Sequence, residues 1–339
     1  MPKKVLLTGG AGYIGAHTAV ELIERGFDIV LLDDFSRSEQ RMVDGIKQIT
    51  GKAVSVYKGN CADRTFLLKL FDKEKFSSVI HFAAYKSVNE SVAEPILYYH
   101  NNIASMVELL KVMAEFGVNE LIFSSSCTVY GQPDHIPVDE TAPFKRAESP
   151  YGATKQMCER ILEDCIASNN LLNAISLRYF NPVGAHPSAL IGELPIGVPN
   201  NLVPYITQTA AGVRQKLIVF GNDYNTPDGS CLRDFIHVVD LAKAHAAALE
   251  KIESLDHRFE AFNLGTGKGV SVLEVVDCFQ TATGVKLKYE VGPRRAGDVE
   301  KIFADPAKAE KLLGWTTELS LTDSMSHAWQ WEKNIRGIK

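Results

Sequence analysis

The chain has 339 residues, long enough for a nucleotide-sized domain with a smaller partner beside it. Hydrophobic residues at 45% and charged residues at 23% exclude a disordered, fibrous or coiled-coil chain. A net charge of -5 excludes the broad basic field that a phosphate backbone demands, so nucleic acid is not an expected partner.

The first residues, Met1-Pro2-Lys3-Lys4, lead straight into an apolar run and leave no room for a signal peptide. No stretch approaches the roughly 18 uninterrupted apolar residues of a membrane span. A cytoplasmic location without membrane contact is therefore expected. Cys61, Cys127, Cys158, Cys165, Cys231 and Cys278 form no CxxC pair and have no histidine at metal spacing, which predicts reduced thiols and no metal site.

In chain order, the apolar runs at 5–8, 29–32, 54–57, 79–82 and 121–124 predict buried strands, each followed by a helical pattern. The clearest helices are 13–25, stopped by Gly26, and 103–116, closed by Gly117. Strands separated by helices pair in parallel through right-handed crossovers, so the expected class is α/β, a Rossmann doubly wound parallel sheet. After a further strand at 175–179 the chain becomes rich in proline and glycine through residue 204 and cannot form one regular element. The expected division is a dinucleotide-binding domain over 1–180 and a smaller, loop-rich substrate-binding domain over most of 181–339. Elements at about 233–250 are expected to return to the first domain.

Directly after the first strand, glycines at 9, 12 and 15 are spaced for a sharp strand-to-helix turn that brings a pyrophosphate close to backbone N–H groups. The second strand ends at Asp33, where a carboxylate accepts hydrogen bonds from ribose hydroxyls and repels a 2′-phosphate, favouring NAD over NADP. Arg37 in the next loop is read as an exposed arginine rather than a phosphate ligand. The fourth strand runs into Phe82-Ala83-Ala84, small residues where a cofactor crosses the sheet edge, and His81 is read as a packed strand residue.

Ser149-Pro150-Tyr151 reads as a helix start, with serine as N-cap and proline in the first turn, and the pattern continues to about residue 169. Tyr151 and Lys155 are then one turn apart on one face. A lysine ammonium and a cationic nicotinamide beside the phenol are expected to lower its pKa from near 10, making Tyr151 a proton shuttle. Ser124-Ser125-Ser126 ends the fifth strand upstream, and Ser126 is placed to hydrogen-bond the same substrate oxygen.

With these features assembled, the sequence resembles the extended short-chain dehydrogenase/reductase family, and within it the nucleotide-sugar 4-epimerases. The resemblance runs nearly end to end. It rests on TGGAGYIG at 8–15, HFAAYKSVNESV at 81–92, SSSCTVYG at 124–131, SPYGATK at 149–155, LRYFNPVGAHPSALIGE at 177–193, PNNLVPYI at 199–206, FGNDYNTPDG at 220–229, RDFIHVVDLA at 233–242 and PRRAGDV at 293–299.

The resemblance implies that Tyr151, Lys155 and Ser126 are catalytic. It implies an NAD site made by Gly9, Gly12, Tyr13, Ile14, Gly15, Asp33, Asn60, Cys61, Phe82, Ala83, Ala84, Lys86, Asn101, Ser124, Tyr151, Lys155 and Tyr179. It further implies UDP-glucose and UDP-galactose as ligands, contacted by Lys86, Ser126, Tyr151, Phe180, Asn181, Asn201, Leu202, Phe220, Arg233, Arg295, Asp298 and Ile302. Arg233 and Arg295 suit a diphosphate, which an arginine fork grips with paired hydrogen bonds. The implied reaction inverts carbon 4 of the sugar through a transient ketone, with NAD held throughout. The implied assembly is a homodimer, with 103–116 and 151–169 as contact helices.

Two positions depart from the family pattern. Gly59-Asn60-Cys61 lacks the aspartate that commonly follows this glycine at the adenine, and Ile302 replaces either a bulky tyrosine or a small residue. Isoleucine, intermediate in size, predicts weak acceptance of UDP-N-acetylhexosamines. A 4,6-dehydratase of the same fold needs an acid and base pair after the serine, where Cys127 and Thr128 stand. Epimerases acting on uronic acids or on another nucleotide, and a non-catalytic NAD sensor, are the remaining alternatives. A sensor loses nothing when Tyr151 is replaced by phenylalanine.

Overall fold

The computed structural model describes residues 3–168, 171–295 and 299–339. Its first half alternates β1 (Lys4–Thr8), α1 (Tyr13–Glu24), β2 (Asp28–Asp33), α2 (Gln40–Thr50), β3 (Ser55–Lys58), α3 (Arg64–Glu74) and β4 (Ser78–His81). Then come α4 (Val88–Ala93), α5 (Pro95–Glu115), β5 (Glu120–Ser126), α6 (Pro150–Ala167) and β6 (Asn173–Tyr179). The second half holds β7 (Asn181–Val183), α7 (Leu202–Ala210), β8 (Leu217–Phe220), β9 (Leu232–Arg233), β10 (Phe235–His237), α8 (Val238–Lys251) and β11 (Phe259–Leu264). It closes with β12 (Val270–Ser271), α9 (Val272–Thr283), β13 (Tyr289–Gly292), β14 (Lys301–Ile302), α10 (Ala307–Leu313) and α11 (Leu321–Arg336).

Seven parallel strands form the main sheet in the order β11-β6-β5-β4-β1-β2-β3. The order reverses between β1 and β4, so a crevice opens there at the carboxyl ends of the strands. Val5, Leu6 and Leu7 are fully buried because helices cover both faces of the sheet, which is why the strand reads as a continuous apolar run. One face packs with α1, α2 and α8 through residues such as Leu22, Ile46 and Leu249. The other packs with α3, α5 and α6 through Leu67, Leu109 and Leu162.

Two sequence expectations shift. The helix expected at 103–116 begins at Pro95, in its first turn, because proline is preorganised there and its missing N–H is no loss. The seventh strand, β11, comes from 259–264, beyond the 233–250 elements expected to return; it pairs in register with β6. The remaining strands form small sheets outside the main one, namely β7 with β10, β8 with β13, and β9 between β12 and β14. A separate apolar cluster under them includes Val203, Ile206, Val276, Phe279 and Met325.

Candidate active site

The glycine turn sets the floor of the crevice. Gly9 has a φ of +69°, and a Cβ there would stand 2.8 Å from the backbone nitrogen of Ala83, so glycine is required for the approach of the β4 edge. Helix α1 then starts without a side-chain cap and without an acidic residue in its first turn. The N–H groups of Tyr13 and Ile14 have no acceptor among the described residues. A helix N-terminus left open in this way fits the pyrophosphate of a dinucleotide.

Asp33 ends β2 at the edge of the cleft. Its carboxylate is buried and accepts from the amides of Ala11 at 3.0 Å and Phe35 at 2.9 Å and from Ser38 Oγ at 2.8 Å. Burial raises its pKa, and these three donors oppose the rise and fix the orientation. Arg37 pairs with Glu90 at 2.6 Å and lies 4.9 Å above the Tyr85 ring, so it is tied to the neighbouring loop. After β3, Asn60 accepts from its own turn, at Ala62 N, 2.8 Å, and Cys61 is buried against Ser105. His81 is buried and hydrogen-bonded to Thr8 at 2.7 Å, a strand residue serving the sheet.

The Tyr/Lys helix is built as its sequence suggests. Ser149 caps α6 by accepting from Gly152 N at 3.2 Å, and Pro150 opens the first turn. Tyr151, Lys155 and Glu159 then form one stripe facing the sheet. Lys155 is buried and donates to the carbonyl of Ser124, and its Nζ lies 5.8 Å from the centre of the Tyr151 ring. Glu159 binds the buried Arg178 guanidinium, with a shortest distance of 2.7 Å, and also Ser125. This forked ion pair clamps α6 to β6 and so sets where Tyr151 stands.

The expected lowering of the Tyr151 pKa is not what the protein alone produces. Burial pushes the phenol up to about 12, with the Ser126 hydroxyl acting against the rise, and it brings Lys155 down to about 8. Both groups are desolvated, and desolvation disfavours the charged form of each. Positive charge entering with a ligand works in the other direction.

Every residue named for the coenzyme lines one cleft of about 310 Å³ over the switch point. Of the sugar-nucleotide residues, Lys86, Tyr151 and Asn201 line it too. Lys86 Nζ at 3.1 Å and Asn201 Nδ2 at 2.6 Å both donate to Glu193, which ties the two sides of the cleft together. Ser126 ends β5 in the main sheet, and the other described ones stand on or next to the small sheets. Arg233 in β9 is in register with Ile302 in β14, and Asn181 in β7 with Phe235 in β10. Phe180 and Ile302 are buried in a cluster with Cys127, Val129 and Tyr130. The Arg295 guanidinium lies 5.6 Å from the centre of the Phe220 ring, and Leu202 begins α7. Asp298 lies outside the described residues.

Four residues not singled out from the sequence belong to this arrangement: Glu159 with Arg178, Glu193, and His245, which is hydrogen-bonded to Tyr179. For Glu159 a signal existed, since it continues the Tyr151 and Lys155 stripe by one more turn. Glu193 and His245 act through contacts between distant segments and leave no local pattern.

A cleft at the switch point of a doubly wound sheet, with a tyrosine and a lysine one helical turn apart at its floor, defines a short-chain dehydrogenase/reductase of the extended type. Comparisons narrow this. The model of the GDP-mannose 4,6 dehydratase family matches residues 6–327. The UDP-glucose 4-epimerase of Bacillus subtilis is 47% identical over 336 residues, covering 99% of this chain and 98% of that protein. The crystal structure of UDP-glucose-4-epimerase from Stenotrophomonas maltophila, with bound NAD and formylated UDP-arabinopyranose, superposes with a TM-score of 0.96 at 45% identity, covering 99% of this chain and 100% of that one. That of Bifidobacterium longum UDP-glucose 4-epimerase, in complex with NAD+ and UDP, gives 0.95 at 44% identity, covering 99% and 100%. The chain belongs to the UDP-glucose 4-epimerase family of extended short-chain dehydrogenases/reductases.

Proposed function

We propose that this protein is an NAD-dependent isomerase that interconverts UDP-galactose and UDP-glucose by inverting carbon 4. The observation that carries the reading is the Tyr151 and Lys155 pair, with Ser126 beside it, at the floor of a cleft lined by the whole coenzyme set. The open N-terminus of α1 holds the pyrophosphate, Asp33 the adenosine ribose, and Lys86 and Asn101 the remaining coenzyme edge. NAD, when bound, supplies the hydride acceptor and donor that make oxidation at carbon 4 reversible, with no net redox change. Tyr151 takes the proton of the 4-hydroxyl and later returns it, and Ser126 hydrogen-bonds the same oxygen. Lys155 keeps positive charge near the phenol while its donor to Ser124 fixes its place. Arg233 and Arg295 grip the diphosphate, with Asn181, Asn201, Leu202 and Phe220 around the nucleotide and Phe180 and Ile302 around the sugar.

The 4,6-dehydratase chemistry named by the matching family model is disfavoured by Cys127 and Thr128. Burial pushes the Cys127 thiol up to about 12, so it is neither acid nor base for carbons 5 and 6 at neutral pH. The chain acts as a homodimer in this reading. Ile96 and Leu97 on α5 and Met157 on α6 are exposed apolar side chains on the two helices expected to meet. No helix among the described residues is long and apolar enough to cross a membrane, in keeping with a cytoplasmic role.

Incubating the protein as purified with UDP-galactose, without added NAD, and separating the products tests the proposal. UDP-glucose is expected at equilibrium. Absence of product even with NAD supplied contradicts it.

A further inference from the structure

Two tyrosines face the reacting end of the cleft, and their surroundings give them opposite duties. Tyr151 has the Ser126 hydroxyl beside it, which can donate or accept, whereas Tyr179, at the end of β6, hydrogen-bonds His245 Nε2. His245 is fully buried on α8, and its Nδ1 lies 2.8 Å from the carbonyl of Leu241 one turn earlier. A carbonyl only accepts, so Nδ1 carries the imidazole proton and Nε2 of the neutral ring is an acceptor. The Tyr179 hydroxyl must then donate to His245. Its oxygen then has only lone pairs to offer the Ser124 hydroxyl beside it and the cleft. Phe82 packs against the imidazole with ring centres 4.9 Å apart.

The ring nitrogen keeps this polarity at any working pH, because burial holds the imidazole down at about 4. Burial likewise holds the Tyr179 phenol well above the usual tyrosine range, so it does not compete with Tyr151 as a base. The acceptor it offers lies beside Ser124 and Tyr151, among the residues assigned to the nicotinamide end. That end of NAD carries a primary amide with two N–H donors and a carbonyl. An obligate acceptor selects the amide nitrogen and so sets which way round the carboxamide sits.

We propose that His245 is a positioning residue that commits Tyr179 to be an acceptor and thereby orients the carboxamide of the bound nicotinamide. The inference rests on the NAD reading above. Its test uses a coenzyme analogue rather than turnover. In 3-acetylpyridine adenine dinucleotide a methyl ketone replaces the amide, so the donor is gone. The purified protein is equilibrated with equal concentrations of NAD and analogue, the bound dinucleotides are released with acid, and their ratio is measured.

The wild type is expected to retain NAD over the analogue by about tenfold, the scale of one hydrogen bond. Tyr179→Phe and His245→Leu should both reduce that preference to roughly threefold or less. His245→Gln, which keeps an acceptor, should stay near the wild type. Should the leucine variant fail to fold, His245→Phe, a ring without an acceptor nitrogen, serves in its place. A preference unchanged in His245→Leu, or lost equally in the glutamine variant, overturns the proposal. Wild-type protein that carries and takes up no dinucleotide overturns the functional reading instead.

Discussion

The two halves of the active site are built differently. The coenzyme half stands on the carboxyl edge of one seven-stranded sheet, and its residues come from the ends of β2, β5 and β6, from the turns after β1, β3 and β4, and from α1, α5 and the first turns of α6. The sugar-nucleotide half stands on sheets of two or three short strands, where Arg233 meets Ile302 and Phe220 meets Arg295 across long chain separations. A rigid sheet edge suits a group that stays bound. Short, separately braced segments suit a ligand that enters, turns over and leaves.

The sharpest way to break this contrast is Tyr151→Phe. It removes the proton acceptor and leaves the other residues that line the coenzyme cleft in place, so kcat should fall by about a thousandfold or more while dinucleotide still copurifies. Equal loss of both would mean that the tyrosine builds the cradle.

Acid should attack the coenzyme half first. Burial holds His17 and His81 at about 3 and His245 at about 4, against 6.5 when unfolded. Each folded pKa is depressed, so the unfolded chain binds protons that the folded chain refuses. Stability is full above about pH 6.5 and falls as pH drops toward 4. At about pH 6 each imidazole costs at most about 1 kcal/mol, together on the order of 2–3 kcal/mol. Thermal unfolding scans should show Tm lower by several degrees than at about pH 7.5, with dinucleotide released below that. A flat profile would show that other groups compensate.

Arg233→Ala should act on the other half alone, raising KM for UDP-galactose by roughly ten- to thirtyfold with kcat nearly kept, as loss of a charged diphosphate contact requires. The smallest effect concerns Ile302. Turnover of UDP-N-acetylglucosamine should be weak in the wild type and several-fold higher in Ile302→Ala, because the isoleucine is buried against Phe180 and Cys127. Good turnover of UDP-galactose with none at all of the acetylated sugar contradicts this role for Ile302.

The same contrast governs what was legible in the sequence. The glycine turn, Asp33 and the Tyr151 and Lys155 pair are set by neighbours within a few residues, so spacing and capping reveal them. Arg233, Phe220 and Ile302 lie on strands of two to four residues with no periodicity of their own, and only resemblance to a family pointed to them. The β11 strand escaped the expected domain limits because nothing local says that a strand returns to a sheet formed earlier. The upward push of burial on Tyr151 was not legible for a related reason, since the lysine's charge is visible in the sequence and the depth of burial is not.

The central claim is that carbon 4 is oxidised and reduced again within one cleft without release of coenzyme. UDP-galactose carrying deuterium at carbon 4, converted by the protein as purified in ordinary water, tests it directly. The account predicts UDP-glucose that keeps its deuterium at carbon 4. Product with hydrogen there, or deuterium recovered in free coenzyme, would contradict it.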